Sequence, residues 1–294
     1  MTTQKNKKLL KSICWGKKLR ICFIFLILLF IMIILENNSP MITEITVENT
    51  NLPRSFDGFR IAHVSDFHND EIGIDNSRLI ELIEESEPDI IAITGDLIDS
   101  RRTDVNVSID FISRLIKIAP CYYVPGNHES RIPEDYELLL TALHDLGVNL
   151  LIDESIIIER NEEFIDIVGI EDPMFDFEDG RELEDIIENK LNSTVPDDNN
   201  FQILLSHRPE YFDKYVEYDI DLVLAGHAHG GQIRIPFLGG IIAPGQGFFP
   251  NYDSGIFTIE NTAMIVSRGI GNSIFPVRIN NRPEVVLIEL KLSC

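Results

Sequence analysis

Three short stretches decide the fold: FRIAHVSDFH at 59–68, DIIAITGDLID at 89–99 and CYYVPGNHE at 121–129. Each is an apolar run that stops abruptly at Asp, His, Asn or Glu. Between them lie segments with helical spacing. Asn76–Ser86 places Leu79, Ile80, Leu82 and Ile83 on one face, and Asp104–Ile118 does so with Val105, Ile109, Ile112, Leu115 and Ile116. A further helix is predicted over Pro133–Leu146. Strands apolar on both faces, alternating with helices, point to a largely parallel sheet that is covered on both sides.

Outward from this core the pattern changes at Asn149. LLIDESIIIER (150–160) and FIDIVGI (164–170) read as antiparallel strands, with Arg160–Glu163 as their turn. Gly180–Leu191 reads as an acidic, solvated helix. FQILLSH (201–207) and IDLVLAGH (220–227) are again apolar runs that end in polar residues. FTIE (257–260), AMIVSR (263–268) and EVVLIELKL (284–292) supply final strands, and MITEITVEN (41–49) reads as an edge strand. Nothing marks a boundary between 59 and 290. The expected class is α/β, with α+β character, as a single domain of two layered sheets with helices outside.

The chain is acidic, with 48 Asp and Glu against 25 Lys and Arg and a net charge of −23. Residues 1–20 hold seven basic residues (Lys5, Lys7, Lys8, Lys11, Lys17, Lys18, Arg20) and no acid, so the remainder carries 18 against 48, a net −30. Such a body repels phosphate backbones, and nucleic-acid binding is not expected. Four cysteines, at 14, 22, 121 and 294, form no C-x-x-C pair, which excludes a zinc ribbon and a disulfide scaffold. Cys121, inside a strand, reads as core.

After the basic segment, Ile21–Leu35 is fifteen apolar residues without a charge. Leu19 extends this run, and flanking Lys17, Lys18 and Arg20 can reach the headgroups. No A-x-A-like cleavage site follows, so the stretch reads as a retained signal anchor rather than a cleaved signal peptide. The positive-inside rule then places the N-terminus in the cytoplasm and everything after Glu36 outside. The expected organisation is a basic cytoplasmic N-terminus (1–20), a single-pass transmembrane helix in the cell membrane (19–35), a linker and edge strand (36–57) and an extracytoplasmic domain (58–294).

Five of seven histidines, His68, His128, His207, His227 and His229, stand where an apolar strand stops. Asp66, Asp96, Asp99 and Asn127 share their loops. Ligands of α/β sheets bind beyond the carboxyl ends of strands, so these loops should converge. Imidazole and carboxylate together suit Zn, Fe or Mn. The donors are too many for one tetrahedral site and suit two divalent ions, with one carboxylate bridging. Glycines before Asp96, Asn127 and His227 permit tight turns. His63, inside a strand, reads as structural, and His144 sits on a helix with no special claim.

The ordered series D66-x-H68, G95-D96-x-x-D99, G126-N127-H128-E129, S206-H207 and G226-H227-x-H229 resembles the calcineurin-like metallophosphoesterase family over roughly residues 58–290. That resemblance implies a four-layer αββα sandwich of two mixed sheets with flanking helices. It also implies a dinuclear metal centre. The first metal would take Asp66, His68 and His229, and the second Asn127, His207 and His227, with Asp96 bridging. His128 would be the catalytic proton donor or transition-state stabiliser, and Asp99 the residue that orients it. GHAHGGQIRIP (226–236), SRGIGNS (267–273) and VRINNRPEVVLIEL (277–290) resemble a membrane-attached bacterial subgroup. One departure is SDFHND, where a Leu is expected between Asp66 and His68 and a Gly soon after; Phe67 replaces the Leu.

The implied activity is hydrolysis of a phosphodiester, pyrophosphate or phosphomonoester bond by a metal-bound hydroxide, on a phosphorylated small molecule or a lipid-linked, envelope-derived substrate. Two competitors are a catalytically silent envelope-binding or scaffold module and a metal-storing protein; the latter leaves His128 unexplained. Residues 236–255, rich in Gly, Pro and Phe, are expected to form a loop packed by its own aromatics, with a lid or bilayer contact as the alternative. Arg268 is expected to face either a substrate phosphate or a structural salt bridge.

Overall fold

The computed structural model describes residues 2–178, 180–272 and 276–293, and for residues 2–16 the backbone alone. The side chains of Lys5, Lys7, Lys8, Lys11 and Cys14 lie outside the described residues, as do Ser273 and Cys294. In chain order the first half comprises α1 (Thr2–Asn37), β1 (Met41–Asn49), β2 (Arg60–Val64), α2 (Ser77–Glu85), β3 (Ile90–Thr94), α3 (Val105–Leu115), β4 (Cys121–Val124), α4 (Pro133–Asp145) and β5 (Asn149–Leu150). The second half comprises β6 (Glu154–Arg160), β7 (Glu163–Gly169), α5 (Leu183–Thr194), β8 (Phe201–Leu205), α6 (Phe212–Glu217) and β9 (Leu222–Ala225). It continues through the short strands β10 (Arg234–Ile235), β11 (Gly239–Gly240), β12 (Ile242–Ala243) and β13 (Gly247–Phe248) to β14 (Gly255–Ile259), β15 (Thr262–Val266) and β16 (Glu284–Leu292).

Among the described residues, two six-stranded sheets result, ordered β1-β16-β2-β3-β4-β5 and β14-β15-β9-β8-β7-β6. Both are mixed. β2 to β5 run parallel while β16 is antiparallel to β2; β15, β9, β8 and β7 run parallel while β14 and β6 are antiparallel edges. Alternate residues of each inner strand feed different cores, as strand geometry requires. In β3, Ala92 joins the core between the sheets, and Ile91 and Ile93 join the core under the helices. In β9, Leu222 and Leu224 face the other sheet, and Val223 and Ala225 face α5 and α6. Helix faces complete the outer cores, with Leu79 and Ile83 of α2, Phe111 and Leu115 of α3 and Leu139 of α4 on one side, and Ile187 of α5 and Phe212 of α6 on the other. The result is a mixed α/β sandwich in four layers. Local signals agree with it: Asp104 caps α3 by accepting from Asn106 N at 3.1 Å, and Pro133 opens α4.

The edge strand β1 pairs in parallel with β16 from Met41↔Glu284 to Asn49↔Leu292, which ties the N-terminal segment to the end of the chain. Ahead of it, α1 is one continuous helix. Its stretch Lys17–Asn37 is unburied and is long and apolar enough, by length and composition, to cross a membrane. At about 1.5 Å per residue, 21 residues reach roughly 31 Å.

Three expectations need correction. LLIDESIIIER is not one strand: β5 belongs to the first sheet and β6 to the second, and residues 151–153 carry the chain across. Leu151 is buried in the inter-sheet core, so the apolar pattern runs unbroken through the crossover. The acidic helix starts three residues later than predicted and is not simply solvated: Lys190 Nζ is buried against Asp153, Glu171 and Asp176 at 2.6, 3.0 and 2.6 Å. Residues 236–255 do not pack around their own aromatics. With Arg234 and Ile235 they form two short ribbons, β10–β11 and β12–β13, with Phe237, Phe248 and Phe249 exposed.

Candidate metal centre

Five strand ends, three from one sheet and two from the other, deliver the polar residues to one place. Asp66 and His68 follow β2, Asp96 and Asp99 follow β3, and Asn127 and His128 follow β4. Across the gap, His207 follows β8, and His227 and His229 follow β9. All nine are buried. Asp66, His68, Asp96, His227 and His229 adopt left-handed backbone, with φ of 52°, 52°, 52°, 63° and 48°. Positive φ is uncommon for residues with a Cβ, and here five such residues share one site.

The donor atoms form two groups that share Asp96. Asp66, His68, Asp96 and His229 make one, and Asp96, His207 and His227 the other; within each, the ligand atoms lie within 4.8 Å of one another. His68 Nε2 is 3.2 Å from His229 Nε2 and 3.7 Å from Asp96 Oδ2. His229 Nε2 is 3.3 Å from Asp66 Oδ1. On the other side, His207 Nε2 is 3.3 Å from Asp96 Oδ2 and 3.1 Å from His227 Nδ1. Asn127 Oδ1 is buried without a hydrogen-bond partner. Carboxylate, amide and imidazole groups therefore converge, a donor set that fits cations.

Supporting contacts fix these atoms. Ser65 Oγ donates to Asp66 Oδ2 at 2.7 Å, and the backbone N–H of His227 donates to both Asp66 oxygens at 3.1 Å. The backbone N–H of His128 donates to Asp96 Oδ1 at 2.8 Å. His207 Nδ1 lies 2.7 Å from the Thr94 carbonyl, which aims Nε2 at Asp96, the arrangement a ligating imidazole needs. Glu129 is fully buried and accepts the backbone N–H groups of Asp96, Gly126 and Ile98 at 3.0, 2.9 and 3.2 Å, clamping the β3 and β4 loops together. Gly95 has φ +83°, but Gly126 and Gly226 have no positive φ. Theirs is a space constraint: a Cβ on Gly226 would strike Ser65 Oγ and Asp66 Oδ2.

Protonation follows burial and charge. Burial drives His68 down to about 3 and holds His227 and His229 well below the usual range, so these imidazoles are neutral and free to ligate. Burial pushes Asp66 up to about 6. Burial opposes charge on Asp96 and His207 alike, but their mutual attraction wins, holding Asp96 well below the carboxylate range and raising His207 to about 10.

His128 stands beside this cluster, with Nε2 4.0 Å from Asp96 Oδ2. Burial lowers its pKa. Asp99 does not hydrogen-bond it: their closest approach is 3.9 Å, and the carboxylate is taken by Arg101, through its backbone N–H at 2.7 Å and its guanidinium at 2.9 Å. The backbone N–H of Ser100 donates to His128 Nδ1 at 3.1 Å instead. That bond leaves the proton of the neutral ring on Nε2, facing the centre. A backbone donor has no sequence signature, so Ser100 could not be found by motif. Glu129 was visible in G-N-H-E, but its clamping role was not. Arg278, also missed, is fully buried with Nη2 3.4 Å from His229 Nδ1. Arg268 takes the salt-bridge alternative, with Nε 3.5 Å from Glu284 Oε1. His63 is buried with Nε2 2.8 Å from Thr94 Oγ1, and burial raises the Cys121 thiol to about 12, which makes it unreactive.

Comparison with known proteins places this centre in a family. The calcineurin-like phosphoesterase model matches residues 59–231, the segment that supplies every residue of the two donor groups. The metallophosphoesterase YkuE of Bacillus subtilis is 33% identical over 87% of each chain. The phosphodiesterase YaeI of Escherichia coli is 26% identical over 70% of this chain and 72% of its own. A transmembrane protein with a metallophosphoesterase domain from Danio rerio is 28% identical over 86% of this chain and 57% of its own. Among solved structures, TT1561 of Thermus thermophilus shares the fold, with a TM-score of 0.51 at 14% identity over 72% of this chain and 90% of that one. The sandwich, the strand-end donors and these relatives agree: the chain belongs to the calcineurin-like phosphoesterase family of metal-dependent hydrolases.

Proposed function

We propose that the protein is a membrane-anchored phosphoesterase with a dinuclear metal centre. Asp66, His68 and His229 would hold one ion and Asn127, His207 and His227 the other, with Asp96 shared between the two donor groups. The observation that carries this reading is that two donor groups meet at a single buried carboxylate. Bound cations would polarise phosphoryl oxygens and supply a nucleophilic water at neutral pH. The chain's own residues do the rest. His128 presents Nε2–H to the substrate and, by donating a hydrogen bond, stabilises charge developing on the phosphoryl and leaving-group oxygens. The Ser100 N–H holds the ring in that orientation and tautomer. Glu129 keeps the Asp96 and Asn127 loops at fixed separation.

The unburied helix Lys17–Asn37 and the transmembrane relative in Danio rerio support an anchor; a cytoplasmic N-terminus and an external domain rest on the seven basic residues alone, by the positive-inside rule. The relative named a phosphodiesterase makes diesters the first substrates to try. The test is hydrolysis of bis-p-nitrophenyl phosphate by the metal-stripped full chain, reloaded with Mn, Zn or Fe. The native sequence should turn over, and His128→Ala should lose most of that rate while binding the same metal. Equal rates for both proteins would refute the role of His128, and metal-loaded protein inert towards diesters, monoesters and pyrophosphates would favour the silent scaffold.

A further inference from the structure

Residues 235–252, IPFLGGIIAPGQGFFPNY, hold no charged side chain over eighteen positions, in a chain of which a quarter is charged. The ribbons β10–β11 and β12–β13 display this stretch outward. Phe237 is fully exposed, Leu238 is 68% exposed, Phe248 73% and Phe249 63%. Phe237 and Phe249 also sit at positive φ, 70° and 54°, a conformation that bulky residues rarely adopt. Exposed aromatics on adjoining ribbons, two of them on an unfavourable backbone, make an apolar surface of the kind that serves contact.

The ribbons and the apolar helix are fastened to one strip of chain. The Asn37 side chain, at the end of α1, accepts from Arg278 N at 2.9 Å and donates to Arg278 O at 2.8 Å, and Glu36 Oε2 accepts from Asn280 N at 3.0 Å. On the same strip, Ile279 bridges to Ile233 and accepts from Arg234 N at 3.0 Å, where β10 begins. The end of the helix and the base of the ribbons are therefore held side by side. The ribbons also rest on the ligand loop: Arg234 Nη1 donates to Gly230 O at 2.8 Å, and a Cβ on Gly231 would strike Gly240.

We propose that residues 235–249 are a membrane-docking surface. They seat in the headgroup–acyl boundary of the bilayer that α1 crosses, with the buried His227–Gly231 loop directly beneath the ribbons. The occupant is lipid because the surface is continuous with the membrane-crossing helix, and because an uncharged apolar strip is what an interface accepts from a body of net charge −30. This inference rests on α1 being an anchor.

The test uses the full chain, with its one tryptophan replaced (Trp15→Phe), in phosphatidylcholine vesicles containing dibrominated acyl chains. A reporter tryptophan is placed by Phe237→Trp, by Phe248→Trp, or by Phe164→Trp near the start of β7, the end away from the metal centre. Bromine should quench the reporters at 237 and 248 several-fold more than the one at 164. Equal quenching, in protein retained by carbonate-washed vesicles, would overturn the docking surface and leave the anchor standing. Loss of the protein from washed vesicles would refute the anchor, and the docking surface with it. Blue-shifted, unquenched emission at 237 and 248 would mean that protein or a second copy covers the ribbons, which also overturns the proposal.

Discussion

His63→Gln tests how burial shapes the acid limb of stability. His63 lies in β2, buried on all sides, with Nε2 2.8 Å from Thr94 Oγ1. Burial lowers its pKa from 6.5 to about 3. Between those values the unfolded chain binds a proton that the folded chain refuses. Stability is therefore intact above pH 6.5 and falls as pH drops toward 3, by up to about 1.4 kcal/mol per pH unit. Integrated from pH 7 to pH 5, the native sequence should lose about 2 kcal/mol through this residue alone. Glutamine does not titrate and can keep the bond to Thr94. The assay is urea unfolding of the chelator-treated full chain in mild detergent at both pH values, followed by near-ultraviolet circular dichroism. The native sequence should lose about 2 kcal/mol more than His63→Gln on going to pH 5. Equal losses would refute the reasoning.

Two further outcomes follow from the loops. Glu129→Ala strips the acceptor from three buried N–H groups, each worth roughly 1–3 kcal/mol when orphaned, so the urea midpoint should fall by the equivalent of about 3–9 kcal/mol and metal affinity should fall with it. A change below about 1 kcal/mol would mean that the clamp is dispensable. Gly226→Ala drives a methyl onto Ser65 Oγ and Asp66 Oδ2, and should cost about 1–3 kcal/mol and displace metal from the Asp66 group, as read by elemental analysis; retention of native metal content would contradict the close-approach role.

Much of the site was legible because its chemistry and its geometry share one code. An apolar run must end where a strand leaves the core, and Asp66, Asp96, Asn127, His207 and His227 stand just past those ends. The runs themselves revealed the sheets, since Ile90–Ile93 must be apolar on both faces to serve two cores at once. Other features leave no such trace. The crossover at 151–153 keeps the alternation of a strand. Five left-handed backbones fall at Asp66, His68, Asp96, His227 and His229, residue types that enter this region more readily than most, but no local pattern says which of them will. The Ser100 N–H is a property of every non-proline residue, so the neighbouring Asp99 looked like the partner of His128 when its carboxylate belongs to Arg101. Phenylalanines in residues 236–255 read as a small core, because composition cannot say which way a ring points.

The most direct measurement is the manganese content and electron paramagnetic resonance spectrum of the metal-stripped full chain after anaerobic reloading, for the native sequence and for Asp96→Asn. A centre bridged by Asp96 predicts two ions per chain with an exchange-coupled signal, which Asp96→Asn weakens or abolishes. A single ion, or two uncoupled ions unaffected by Asp96→Asn, would contradict it.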